Sequence, residues 1–164
     1  MPINPLSIEN IRRTSPCNVE KVSESLFVFH TKTNIVYTLS FKEDMKIAGL
    51  QSYQFVVERI SDKQGYDSDV KDTIVAIIKE FFNQNNEILL YICDTQDGRE
   101  AARSRLFIKW FIESDIEGLY EIKTANANVE GEGIFFAIIY RKTCTKYNEI
   151  SIEFDEVSSH LVAK

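Results

Sequence analysis

An α+β fold, with a mixed, mostly antiparallel sheet and helices on both faces, is what this sequence predicts, on the strength of three observations. Ile88–Cys93 and Ile134–Tyr140 are short continuous apolar runs. They are too short for helices and match strands buried on both faces at the centre of a sheet, as neighbours. Val70, Ile74, Ile77, Ile78, Phe81 and Phe82 recur at helical spacing, and Ala102, Leu106, Phe107, Trp110 and Phe111 do so again after the first run. Each set is the apolar stripe of an amphipathic helix. Ile35, Tyr37, Leu39 and Phe41 share one face of a period-two pattern, with Thr38 and Ser40 on the other, as in a half-buried strand.

Taken in order, residues 1–24 carry all three prolines and little periodicity, and read as an extended or partly mobile arm whose Ile8, Ile11 and Val22 can dock on the body. A single α+β domain is expected over 25–164. Leu26–His30 and Ile35–Phe41 flank the turn-forming Thr31–Asn34 and make a hairpin. A longer loop, Lys42–Ser52, leads to a third strand at Tyr53–Ile60, rich in aromatic and β-branched residues. Asp67, Ser68 and Asp69 can cap and load the N-terminus of the first helix, which runs to about residue 83. Asp97 and Glu100 stand at capping-box spacing for the second. Leu119–Asn128 is another strand, and Gly131 and Gly133 mark the turn into Ile134–Tyr140. Ile150, Ile152 and Phe154 alternate as in a strand, whereas Ile150, Phe154, Val157 and Leu161 fit a helix equally well. The expectation taken for 149–162 is a strand followed by a short terminal helix. The order is then β-β-β-α-β-α-β-β plus a tail, with a parallel pair formed across the first helix.

The totals exclude several classes. A length of 164 residues suits one domain with a real core. A net charge of −6 and a pI near 5.0 argue against nucleic acid or an anionic membrane as a general partner. The three cysteines form no CxxC pair, so neither a disulfide framework nor a zinc knuckle is indicated. The first ten residues lack a basic segment and an apolar segment, and no apolar run approaches a membrane span. A cytoplasmic location is the expectation.

Chemistry is sparse. Asp94 lies at the carboxyl end of a central strand, where open sheets place ligands. Arg99 and Arg103 are one helical turn apart, so their guanidinium groups can converge on an anion. Asp94, Asp97, Arg99 and Arg103 are therefore the candidate ligand site, for a small anionic ligand or a protein partner. The competing account pairs Arg99, Arg103 and Arg105 with Asp94, Asp97 and Glu100 on a solvated surface. Tyr140, near the end of a central strand, is the candidate proton donor, and its competing role is packing at the edge of the core. Cys93 needs a neighbouring base to act as a nucleophile, and nothing places His30 or His160 beside it. With no HxH or HExxH spacing, no metal is expected. A nucleophile elbow, a Walker loop and a dinucleotide loop are missing.

From its second strand onward this order resembles the Gcn5-related N-acetyltransferase fold, over roughly residues 25–141. The stretch Ala102-Arg-Ser-Arg-Leu106-Phe107-Ile-Lys109-Trp110-Phe111 resembles that family's final helix, with Trp110 in place of its glycine. The whole chain is also similar to an uncharacterised family of small bacterial proteins through its Asp97-Gly98-Arg99, Arg105-Leu106-Phe107 and Trp110-Phe111 run. The acetyltransferase resemblance implies acetyl-coenzyme A, with the pyrophosphate on free N–H groups at the start of the first helix, approached through a glycine-rich loop. Here Lys63–Asp69 holds one glycine, and Asp67 and Asp69 put negative charge where phosphate would go. Two unit charges about 4 Å apart repel by about 4 kcal/mol at an effective dielectric near 20. The favoured reading is a non-catalytic binding or regulatory module without a cofactor. The alternative is an acyl-coenzyme A-dependent N-acyltransferase, with backbone groups of Val56–Glu58 aligning the thioester and Tyr140 or a water handling the protons.

Overall fold

A computed structural model describes residues 3–60, 68–94, 108–115, 118–129 and 132–162. The elements are α1 (Ile8–Thr14), β1 (Asn18–Ser23), β2 (Leu26–His30), β3 (Val36–Ile47), β4 (Leu50–Arg59), α2 (Ser68–Gln84), β5 (Ile88–Asp94), α3 (helical at 108–114), β6 (Tyr120–Val129), β7 (Glu132–Arg141) and α4 (Tyr147–Val162). From β2 to β7 this is the expected β-β-β-α-β-α-β-β. The strands pair in the order β1-β2-β3-β4-β5-β7-β6, in a mostly antiparallel sheet in which β4 and β5 run parallel. The chain divides into two compact units, Met1–Glu43 with Phe55–Asn86, and Asp44–Gln54 with Glu87–Lys164.

The first unit contains the stretch expected to be an extended arm, and that expectation is corrected. Residues 8–14 form α1, capped by Ser7, whose Oγ accepts from the Asn10 N–H at 3.2 Å. Residues 18–23 pair as β1 with β2. The arm's apolar residues are few, yet Ile3, Leu6, Ile11, Cys17 and Val19 are all buried, while Val22 is exposed. What docks them is a row of polar side chains on α2 and just past its end. Buried Thr73 accepts from the Cys17 N–H at 3.3 Å. Buried Asn85 accepts from the Asn4 N–H at 2.8 Å. Between them, the Glu80 carboxylate accepts from the Ser7 N–H at 2.7 Å, Asn10 at 3.2 Å, Asn83 at 3.2 Å and Gln84 at 3.1 Å. Burial pushes the Glu80 carboxyl up, but these bonds, led by that from Ser7, outweigh it and hold it below the ordinary 4.5. The apolar stripe of α2 is as expected, with Val70, Ile74, Ile77, Ile78, Phe81 and Phe82 buried. Phe81 stacks on Phe41 at 5.2 Å.

In the second unit, β5 pairs with β7 from Leu89↔Ile139 to Asp94↔Ile134, and β7 with β6 from Tyr120↔Arg141 to Val129↔Glu132. The two apolar runs are thus neighbours, covered on both faces. On one, Ile88, Leu90, Phe136, Ile138 and Tyr140 pack with Ile150 and Phe154 of α4. On the other, fully buried Phe111 of α3 meets the Tyr120 ring at 5.3 Å. The strand expected at the start of 149–162 is instead part of α4. A strand would bury Ile150, Ile152 and Phe154 together, but Ile152 is 59% exposed while Ile150 and Phe154 are buried. The four-residue spacing prevailed because α4 lies over a sheet that needs that face covered.

The expected loop at Lys42–Ser52 is also corrected. β3 runs on to Ile47 and returns as β4 from Leu50 through a two-residue turn, Ala48-Gly49. Both turn residues have positive φ, 53° and 79°. Such a turn matches the twist of paired strands, and asparagine or glycine usually leads it. Ala48 is held there by its N–H, which donates to the Glu153 carboxylate of α4.

Two outcomes follow for stability. Left-handed backbone costs a non-glycine residue about 1–2 kcal/mol, and glycine returns about 0.4–1 kcal/mol of that through a freer unfolded chain. Ala48→Gly is therefore expected to raise the melting temperature by about 1–4 °C; an unchanged or lowered midpoint would show that the turn carries no strain. Glu80→Gln leaves amide donors facing an amide, and is expected to cost about 2 kcal/mol at neutral pH. Because the Glu80 carboxyl is held below its unfolded value, its contribution is present above that value and lost as pH falls through the folded one. Urea melts across the acid range should show a shallower loss of stability in Glu80→Gln than in the wild type, and parallel curves would refute the assignment.

Candidate functional site

The second unit brings together a polar cluster on the face covered by α4. On β6, Glu121 and Lys123 are two residues apart and so share a face, opposite Tyr140 and Ile138 of β7 in the register. On α4, Tyr147, Ser151, Phe154 and Asp155 are spaced at four, seven and eight residues and form one stripe. Lys123 spends all three of its donors on that stripe. Its Nζ reaches Asp155 Oδ1 at 2.6 Å, Ser151 Oγ at 2.9 Å and the Ser151 carbonyl at 3.3 Å. It also stands 5.8 Å from the centre of the Phe154 ring. The Tyr147 ring lies 5.6 Å from that of Tyr140.

At the centre is the candidate proton donor. Tyr140 is 1% exposed, and its hydroxyl finds no hydrogen-bond partner among the described residues. Burial, then the negative charge of Glu121 and the neighbouring Tyr147 and Asp155, push its pKa up to about 12. Ser151, the one neighbour that favours the phenolate, does not reach hydrogen-bond geometry. The Tyr147 hydroxyl is raised as well, by burial and by the Glu121 carboxylate it faces, and Tyr120 by burial. A phenol so placed is a fixed neutral dipole, closed off from solvent by the helix above it.

The other candidates fare differently. Asp94 closes β5, and its side chain lies outside the described residues, as does that of Cys93. Asp97, Arg99 and Arg103 lie outside them altogether, as do Asp67 and the Lys63–Tyr66 stretch. Asp69 is described, and its carboxylate is 3.3 Å from Lys32 Nζ. Its backbone carbonyl accepts from Thr73 Oγ1 at 2.7 Å. His30 is exposed at the end of β2. Among the described residues no group of three or more His, Cys, Asp or Glu is placed to hold a metal ion. No described helix is long and apolar enough to cross a membrane. Sequence reasoning named Tyr140 but missed Glu121, Lys123, Ser151 and Asp155 around it. The i, i+2 charges on β6 and the i, i+4 polar pair on α4 were visible, but the partnership needed residues 147–162 to be read as one helix.

Comparison with known proteins adds a family and a fold likeness. No curated protein matches the sequence significantly. Among solved structures, the chain is similar to one titled "Crystal structure of a putative phosphinothricin N-acetyltransferase", with 12% identity, a TM-score of 0.44, and coverage of 71% of this chain and 69% of that one. A family model described as a family of unknown function, DUF6169, matches residues 66–156, from the start of α2 into α4. With more than half of its length matched by that model, the chain belongs to the DUF6169 family.

Proposed function

We propose that this chain is a non-catalytic binding module whose ligand is a small anion or an acidic group on a protein partner. The observation that carries the reading is the burial of Tyr140. A general acid must come within hydrogen-bond reach of the proton it transfers. Tyr140 is 1% exposed beneath α4, and burial pushes its pKa up to about 12, so it is closed from solvent and neutral at ordinary pH. Asp69 adds support. At the start of α2 a pyrophosphate would meet a carboxylate already paired with Lys32. The binding residues in this proposal are Asp94, Asp97, Arg99 and Arg103, where β5 ends and two guanidinium groups stand one turn apart in the sequence.

Coenzyme A separates the two classes. Ligand at about 100 times its dissociation constant would add about 2.7 kcal/mol, a shift of several degrees. Millimolar acetyl-coenzyme A is expected to leave the melting temperature unchanged, and a saturable rise would favour the acyltransferase instead. For the binding site, wild type and Arg99→Gln/Arg103→Gln are titrated at low salt against carboxylates, phosphates and acidic peptides. The expected result is a saturable binder that the double variant holds at least about a hundredfold more weakly, since each charge-assisted contact contributes about 1.5–3 kcal/mol. Binding that survives unchanged removes these arginines from the site.

Tyr140→Phe tests the carrying observation directly. Deleting a buried hydroxyl with no partner should leave stability unchanged or raise it by up to about 1 kcal/mol. Alkaline stability gives a second readout. A phenol raised in the folded state contributes below the unfolded pKa, and that contribution is lost as pH rises from about 10 through about 12. Tyr140→Phe should therefore postpone alkaline unfolding, with Tyr120 and Tyr147 retaining a dependence of the same sign. A loss of several kcal/mol at neutral pH would mean the hydroxyl is bonded and structural.

A further inference from the structure

Each unit ends in a sheet edge, and the two edges are treated differently. β1, at one end of the strand order, is six residues long and breaks register between Lys21 and Ser23. Arg12 Nε donates to the Val19 carbonyl at 3.1 Å, so a side chain already occupies part of that edge. Shortness, a bulge and a covering cation are the usual means of blunting an edge against another strand. β6, at the other end, is covered at its start, where Asp115 Oδ2 accepts from the Tyr120 N–H at 3.0 Å, but over 122–128 it has none of these among the described residues. It runs ten residues against β7 in unbroken register, from Tyr120 to Val129, with no proline. Its one lysine, Lys123, is drawn onto α4 by Ser151 and Asp155 rather than guarding the edge. In an antiparallel pair alternate residues turn their N–H and C=O groups away from the partner, so from residue 122 onward β6 presents a row of them on its outer side.

We propose that the outer edge of β6 pairs antiparallel with β6 of a second copy of this chain, joining two sheets across a two-fold axis. The sequence of the strand favours a copy of itself as occupant. Thr124-Ala-Asn-Ala-Asn-Val129 carries no charge, in a chain with 27% charged residues and a net charge of −6. In self-pairing registers centred on Thr124, Ala125 or Asn126, neither Glu121 nor Lys123 falls opposite its own copy. With the axis at Thr124, Lys123 stands opposite Ala125; at Ala125, it stands opposite Ala127; at Asn126, it stands opposite Val129. No like-charged pair forms in any of the three, and Thr124 and Asn126, both exposed, offer nothing that blocks approach. Such an interface is isologous, as two-fold dimers require.

The test is the solution mass of the whole chain by light scattering over a concentration series, with hydrogen exchange on the same samples. The expected result is a rise from 18.9 kDa toward twice that mass, accompanied by slower exchange of the 121–129 amides as concentration increases. Thr124→Lys/Asn126→Lys places cations on the paired strand at exposed positions, and should weaken dimerisation at least about tenfold while the far-ultraviolet spectrum and melting curve stay native. Monomer at every concentration overturns the proposal. So does a dimer that the double variant leaves intact, or one that forms without protecting the 121–129 amides. Should the variant fail to fold, the concentration-dependent protection in the wild type still decides.

Discussion

Strands β5 and β7 are apolar at successive positions, and such strands must be covered on both faces. Leu89, Ala137 and Ile139 are fully buried on one side, and Ile88, Ile138 and Tyr140 on the other. That requirement organises the second unit. It calls for α3 beneath and α4 above, and it converts the last sixteen residues of described structure from an ambiguous pattern into a helix with Ile150 and Phe154 inward. The same cover closes over Tyr140, so the element that completes the core is also the one that removes the most plausible proton donor from solvent.

The polar groups that accompany this packing obey a common rule. A charge brought near a core must recover the hydrogen bonds it gave up in water. Glu80 recovers them from amides alone among its described partners, and in doing so fastens α1 to α2. Lys123 recovers them from a carboxylate, a hydroxyl and a carbonyl of α4. Each charge joins elements distant in sequence, and each would be costly to remove because its partners would be left unsatisfied. Tyr140 is the exception, and its hydroxyl marks the one described place where apolar cover was gained without a polar partner.

Membership of DUF6169 and the acetyltransferase-like element order belong to different levels of description. A fold hosts many activities, and function is carried by sites. In this chain Tyr140 is buried and the Asp69 carboxylate is engaged with Lys32. The segment after β5 carries Arg99, Arg103 and Arg105 within seven residues, and the binding role proposed above rests on them.

By itself the sequence determined the element order from β2 to β7, the pairing of the two central strands and the apolar face of α2. Those features rest on local periodicity, and Ile74, Ile78 and Phe82 announce their face wherever they are. Three things were decided only by tertiary structure. The N-terminal segment is ordered because Thr73 and Glu80 of α2, and Asn85 just after it, are turned inward to receive its backbone. The hairpin at Ala48-Gly49 forms although alanine disfavours positive φ, because Glu153, 105 positions away, holds the Ala48 N–H. Residues 147–162 become one helix because a strand would leave a face of β7 open and bury Ile152. In each case a contact between residues far apart in the chain outweighed a local preference, and a pattern read a few residues at a time does not contain such contacts.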